Sequence, residues 1–345
     1  SKYRMLSCSY ELRVYLLALF PFIFGCEGQK VTVKERDFFR RAQPFGFILF
    51  TRNLKTPKQI NTLCQSLRDA VGWNAPIMID QEGGRVARLG APHWFEFPPA
   101  LEQSKNIHAE RIFWLRGRLI AENLRLSGID VNCAPLGDIA QPDTHLVLKN
   151  RCYGTDGSKV YANARALNLG LRHGGISGVL KHIPGHGRAK LDAHLVLPKV
   201  LEDASVLENT DFRVFSELRD IDMGMTAHLV FNEIDPKNPV TQSPTMINII
   251  RNDIGFKGLL ITDDISMNAL KGDLIIRAQK ALGAGCDIVL HCNGRLQEME
   301  LLHQNCNQLD GAPLGRAKFA IKNRPTPVSI DILQLTEEFA VLMNE

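Results

Sequence analysis

The sequence predicts a single (β/α)8 barrel of the TIM type. Three observations predict it: eight short apolar runs, amphipathic stretches between them, and ionisable residues at the ends of several runs. The runs are FPFIF (20–24), GFILF (46–50), PIMID (76–80), IDVNCAP (129–135), SGVLKH (177–182), MGMTAH (223–228), GLLITD (258–263) and CDIVLHC (286–292). Nearly continuous apolar strands imply a parallel sheet buried on both faces. No glycine fingerprint of a dinucleotide fold follows the first run, and eight strand–helix repeats favour a closed barrel over an open sheet.

The first run lies within VYLLALFPFIFGC (14–26), which follows Lys2, Arg4 and Arg13. One reading is a short signal segment ending near Cys26; it is too short to span a bilayer. The other is a buried first strand, which the barrel requires. Residues 1–17 are expected as an N-terminal extension without assigned structure, and 18–345 as one barrel domain. The stretches 31–41, 56–71, 107–126, 159–173, 208–218, 245–254 and 274–283 read as the helices between runs. Helices over 297–308 and 330–343 close the chain.

Composition excludes some functions. The chain has 345 residues, 45% hydrophobic and 23% charged, which is ordinary for a globular protein. Its net charge of +4 is mild, and no basic tract is interleaved with aromatics, which argues against nucleic acid. Eight cysteines are scattered with no CxxC pair, and several sit inside apolar runs. That suits a reducing cytoplasm better than a disulfide framework. No membrane insertion is expected.

Asp80, His182, His228 and Asp263 each end an apolar run. In a barrel, the C-terminal strand ends meet at one face, so these four groups converge on one pocket. The fifth run leads into KHIPGHGRAKLDAH (181–194), where Pro184 and Gly185 prevent His182 and His186 from sharing a helical face. A metal site built from His182, His186, His194, His228 and Asp263 remains open. So does anion binding by Lys181 and the nearby glycines. A third option is Asp192 two residues before His194: the carboxylate can fix the imidazole tautomer and favour its charged form, making a tunable acid or base. In IDQEGGRVARL (79–89), a strand-ending Asp80, a Gly-Gly turn, Arg85 and Arg88 form a charged turn suited to gripping hydroxyls. In LLITDDISMNAL (259–270), one of two adjacent carboxylates can point into the mouth as a nucleophile while the other caps the next turn.

These stretches, with GFILFTRN (46–53), VNCAPLGDI (131–139), RCYGTD (151–156) and MTAHLVFNEIDPKNPVTQSP (225–244), resemble the bacterial β-N-acetylglucosaminidases (β-hexosaminidases) of glycoside hydrolase family 3 that work in peptidoglycan recycling. The matches come in the family's order and cover about residues 20–310. The resemblance implies a barrel without the second domain of larger relatives, no cofactor or metal, a carbohydrate substrate, and cytoplasmic action, with a monomer expected. It implies Asp263 as nucleophile, His194 as general acid/base paired with Asp192, and sugar binding by Asp80, Arg88, Arg151, Lys181 and His182. The natural substrate it implies is a GlcNAc-1,6-anhydroMurNAc-peptide, cleaved with retention. Two positions depart from the family pattern: Ala193 stands where Ser is usual, and Cys152 likewise replaces Ser. A glycoside phosphorylase of the same family and a metal-dependent barrel hydrolase are the alternatives.

Overall fold

The structure is a computed structural model and describes residues 18–344. Its centre is one eight-stranded parallel sheet. The strands are β1 (Phe20–Phe24), β2 (Pro44–Leu49), β3 (Ile77–Ile79), β4 (Val131–Asn132), β5 (Ser177–Ile183), β6 (Met223–Thr226), β7 (Leu259–Ile261) and β8 (Val289–His291). They neighbour one another in chain order, and β8 returns to pair with β1. A parallel bridge between Ile261 and Ile288, with Thr262 N–H donating to the Ile288 carbonyl, joins β7 to the β8 segment and closes the barrel. Among the β1 residues, Phe22, Ile23 and Phe24 are fully buried, and Ile23 and Phe24 are paired on both sides, so this run is a structural strand. Its register on β2 shifts between Phe20 and Ile23, around Pro21, which has no N–H for the ladder. The extension expected over 1–17 lies outside the described residues.

Helices alternate with the strands because their ends are capped and one face is apolar. Helix α1 (Val33–Ala42) starts with a capping box between Thr32 and Glu35. Helix α2 (Pro57–Val71) starts on Thr56 with Pro57 in its first turn and ends on left-handed Gly72. Helices α3 (Ala109–Leu126) and α4 (Gly157–His173) follow β3 and β4.

Three expectations change here. The helix expected over 208–218 is two helices, α5 (Ala204–Asn209) and α6 (Asp211–Glu217), broken at Thr210. At the break Arg188 donates to the Asp211 carboxylate at 2.6 Å and to Thr210 Oγ1 at 3.2 Å. The stretch 245–254 is α7 (Pro244–Asn248) running into a wider π turn over Ile249–Asp253. After α8 (Leu274–Ala284) and α9 (Leu296–Gln304) comes α10 (Gly311–Lys322), which the sequence reading does not anticipate. Its opening Gly-Ala-Pro reads as a turn, although proline is well tolerated in a first helical turn. The last helix, α11 (Ile332–Met343), docks on α3 through a two-pronged Arg111–Glu338 contact at 2.7 and 2.8 Å, and sets Phe339 against Phe95 and Phe97.

Candidate active site

The C-terminal strand ends open into a cleft with about 910 Å³ of space, lined by Asp80, Arg88, Arg151, Lys181, His182, His194 and Asp263 among others. Three of the four strand-end groups, Asp80, His182 and Asp263, therefore share one space. The fourth, His228, is fully buried beneath it.

The floor is a buried charge network. Lys181 Nζ lies 2.9 Å from Asp80 Oδ1 and 2.6 Å from Glu82 Oε1. Arg151 grips Glu82 with two bonds of 2.9 Å. Burial opposes charge on Glu82, but Arg151 and Lys181 outweigh it and hold its carboxyl well below the usual range. Burial likewise opposes charge on Lys181, and Asp80 and Glu82 reverse it, keeping the ammonium charged. Arg88 approaches Asp80 at 3.4 Å and lies over the Phe50 ring. A short hairpin, Gln81–Gly83 against Val86–Ala87, brings it there. Gly83 and Gly84 both have positive φ at its turn, 94° and 60°, which only glycine adopts easily.

Sequence reasoning passed over Glu82. It stands two residues after Asp80 in the quoted IDQEGG stretch, and a second carboxylate at a buried strand end is the signal that marks it. The consequence for Arg151 is specific: its guanidinium is fixed by Glu82 and presented to the cleft already ion-paired.

Lys181 and His182 are adjacent, yet both line the cleft. In a regular strand they would face opposite sides. The β5–β6 register shifts between Leu180 and Ile183, an irregularity of the kind that re-aims side chains beside sites. His182 Nδ1 is 2.7 Å from Asp138 Oδ2, and the other Asp138 oxygen accepts the backbone N–H groups of His182 at 3.3 Å and His186 at 2.7 Å. Burial pushes the Asp138 carboxyl up, but His182 and these donors bring it below its ordinary value. The ionised Asp138 therefore accepts a hydrogen bond from His182 Nδ1–H and leaves His182 Nε2 for the cleft. Asp138 was also missed; it follows its strand end by several residues, so only the fold reveals its partner. His186 is buried against the His182 ring, and burial lowers its pKa to about 4.

Asp263 follows Thr262 at the end of β7. Its Oδ1 accepts the Asp264 N–H at 2.7 Å. Burial opposes its charge, but His228, His182, the Asp264 N–H and Lys181 together hold the carboxyl below the usual range. His228 is itself pushed toward the neutral form by burial, so the N–H and Lys181 are the firmer part of that depression. His228 Nε2 donates to the Asp264 carbonyl at 2.9 Å and its Nδ1 meets Thr241 Oγ1 at 2.7 Å, which buttresses the turn. The Asp264 carboxylate accepts from Ser266 N–H at 3.1 Å and Ser266 Oγ at 2.8 Å. Both neighbours border the cleft, but the Asp264 carboxylate is taken up in capping a turn while Asp263 spends only Oδ1 on a backbone N–H.

Asp192 and His194 sit on the long loop after β5. His194 Nδ1 is 2.8 Å from Asp192 Oδ1, which also accepts the His194 backbone N–H at 2.9 Å. The imidazole is 62% exposed and Asp192 only 18%. Burial opposes charge on Asp192, and its bonds to His194 overcome this and lower its pKa. The loop is anchored at its base. A Cβ on Gly187 would collide with the Ile139 carbonyl oxygen, so no other residue fits there. Thr144 Oγ1 donates to the Gly187 carbonyl, and His145 N–H to that of Ala189 at 3.0 Å. Ala193 packs with Met267 and Ala269, joining this loop to the turn after Asp263. Cys152 is fully buried, with its thiol 3.6 Å from the Leu148 carbonyl. Among the described residues no group of three or more His, Cys, Asp or Glu is arranged to hold a metal ion.

Residues 19–321 match the glycosyl hydrolase family 3 N-terminal domain. A β-hexosaminidase of Pseudomonas aeruginosa is 31% identical over 271 residues, 78% of this chain and 81% of that protein. A β-hexosaminidase of Methylobacillus flagellatus is 32% identical over 295 residues, 83% of this chain and 84% of that protein. The structure of NagZ from Neisseria gonorrhoeae in complex with N-trifluoroacetyl-D-glucosamine superposes with a TM-score of 0.82 at 28% identity, covering 94% of this chain and 98% of that one.

Proposed function

The chain belongs to glycosyl hydrolase family 3, and from that premise we propose that it is a retaining exo-β-N-acetylglucosaminidase acting on peptidoglycan fragments. It is a glycoside hydrolase of the β-N-acetylhexosaminidase type, and its substrate is a carbohydrate. The specific substrate proposed is a GlcNAc-1,6-anhydroMurNAc-peptide, from which the terminal β-GlcNAc is removed. The N-acylated glucosamine bound in the Neisseria gonorrhoeae neighbour supports the sugar assignment.

One observation carries the mechanism: a carboxylate held ionised, Asp263, shares its cleft with an Asp–His pair on a loop. Asp263 Oδ1 is occupied by the Asp264 N–H, while Oδ2 makes no hydrogen bond among the described residues. In the proposed first step Oδ2 attacks the anomeric carbon and the bond to the leaving oxygen breaks. His194 Nε2 gives its proton to that oxygen, because Nδ1 is engaged by Asp192. In the second step Nε2 takes a proton from water, whose oxygen attacks the anomeric carbon and releases Asp263. The Asp–His pair fills the place of the second carboxylate of most retaining glycosidases. Asp80 and Arg88 bind sugar hydroxyls, with Lys181, Arg151 and His182 completing the floor. The buried unpaired cysteines support work in a reducing compartment, the cytoplasm, and the enzyme is proposed to act as a monomer. No described helix is long and apolar enough to cross a membrane.

The test is covalent trapping. A fluorinated slow β-GlcNAc substrate should leave a glycosyl adduct on Asp263, found by peptide mass spectrometry. Labelling of Asp264 instead, or the absence of any adduct in an enzyme that retains configuration, defeats the assignment.

A further inference from the structure

Arg85 and Arg88 come from the same hairpin but end in different surroundings. Arg88 reaches Asp80 at 3.4 Å. The other cations of the cleft wall are matched too, Lys181 by Asp80 and Glu82, and Arg151 by Glu82. Arg85 lines the same cleft, is exposed, and makes no hydrogen bond or ion pair among the described residues. Of the arginines and lysines that line the cleft, it alone among the described residues meets no carboxylate.

The hairpin that carries it is tied down. Arg116 of α3 is fully buried and donates to the Glu82 carbonyl at 2.6 and 3.0 Å, to the Pro98 carbonyl at 2.8 Å and to Gln103 Oε1 at 2.7 Å. Gln81 Oε1 accepts the backbone N–H groups of Arg88 at 2.8 Å and Leu89 at 2.9 Å. The Gly84 N–H donates to the Phe97 carbonyl at 2.9 Å. Arg85 therefore projects from a fixed backbone, and only its own side chain must be ordered when a ligand binds, which keeps the entropic cost low.

Its place in the cleft assigns the ligand. Lys181, His182, Met225, Leu290 and Cys292 are buried and form the closed end, which takes the terminal sugar. Among the lining residues only Arg85 and His194 are exposed, so these two mark the mouth. The leaving oxygen lies against His194, and the aglycone occupies the mouth that Arg85 borders. Asp264 also lines the cleft, but Ser266 N–H and Oγ take up its carboxylate. A planar guanidinium with free N–H groups and no counter-charge is matched by a carboxylate, which accepts two of them side by side.

We propose that Arg85 is a specificity-determining residue for the leaving group, selecting β-GlcNAc glycosides whose aglycone carries a carboxylate. The proposal rests on the reading of the enzyme as a β-N-acetylglucosaminidase with His194 as proton donor, and it names the residue that would recognise an acidic, peptide-bearing aglycone.

The experiment measures kcat/KM for 3- and 4-carboxyphenyl β-GlcNAc and for the neutral 3- and 4-carbamoylphenyl glycosides, in the wild type and in Arg85→Gln. The readout is the carboxyl-to-carbamoyl ratio of the wild type divided by that of the variant. Differences in leaving-group reactivity, and any general effect of the substitution, cancel in this quotient. It should be about 3–5 for at least one isomer, the scale of a solvent-exposed ion pair of good geometry. A quotient of one or below for both isomers overturns the assignment of Arg85 and leaves the glycosidase reading intact. Failure to cleave any of these β-GlcNAc glycosides overturns both.

Discussion

The floor of the cleft and the loop above it use the same kinds of residue in opposite ways. On the floor, Glu82 and Lys181 are almost wholly buried and each charge is matched before any sugar arrives. On the loop, His194 stands mostly in solvent and meets a single carboxylate. Matched buried charges cannot change protonation cheaply, which suits binding and orientation. An exposed imidazole beside one carboxylate exchanges protons readily, which suits a group that must give a proton and take it back. The difference separates two jobs, holding the sugar and moving the proton, and assigns them to different loops. Asp263 belongs with the floor: its charge is fixed by neighbours, as a nucleophile requires.

The strongest way to break this contrast is at Asp263. Asp263→Ala should lower kcat at least about 10⁴-fold, the scale of removing a catalytic nucleophile, with folding unchanged by circular dichroism. Retention of a tenth of the activity would show that another group forms the bond.

On the floor, Glu82→Gln should act first on stability. Removing one member of a buried pair costs about 3–5 kcal/mol, read in denaturant unfolding, and KM should rise as Arg151 and Lys181 lose their anchor. The folded-state pKa of Glu82 lies below its unfolded value. Its stabilisation is therefore complete above the ordinary glutamate range near ~4.3 and is lost as pH falls below that range. The stability gap between wild type and variant should thus be widest near neutrality and shrink in acid. A gap that widens in acid would contradict the network.

Asp192→Ala sharpens the other side of the comparison. It should lower kcat/KM on a disaccharide about 10-fold, less than loss of the proton donor itself, and lower it much less on a dinitrophenyl glycoside. Equal losses on the two substrates would mean that Asp192 does not act through His194. The smallest effect is expected of Ala193→Ser, which sets a hydroxyl against Met267 and Ala269. An unpaired hydroxyl there should lower Tm by about 2 °C, since the cost in mutational data is about 1 kcal/mol, with kcat/KM changed less than about 2-fold. An increase in Tm would show that the hydroxyl finds a partner.

Much of this contrast was legible in the sequence, because it rests on local pattern. Strand-ending Asp80, His182 and Asp263 follow from apolar runs; spacing leaves Asp192 with His194 as one of three readings of that loop, and the family resemblance singles it out. Glu82 and Asp138 were not legible as partners: Glu82 meets Arg151 from 69 positions away and Asp138 meets His182 from 44 away. Residue types do not reveal which buried charges will face one another until strands are placed side by side. The helix break at Thr210 escaped for a similar reason, since the side chain drawn to it, Arg188, comes from the catalytic loop.

The central claim is that His194 moves the proton while the floor only binds. The direct measurement is the effect of His194→Ala on two β-GlcNAc substrates, a disaccharide whose leaving group needs a proton and a dinitrophenyl glycoside whose leaving group does not. The account predicts a loss of about 10²–10⁴-fold on the disaccharide. It predicts a much smaller loss in the glycosylation step of the dinitrophenyl glycoside, followed by accumulation of the glycosyl-enzyme because deglycosylation lacks its base. Equal losses on both substrates would contradict it and make His194 a binding residue like those of the floor.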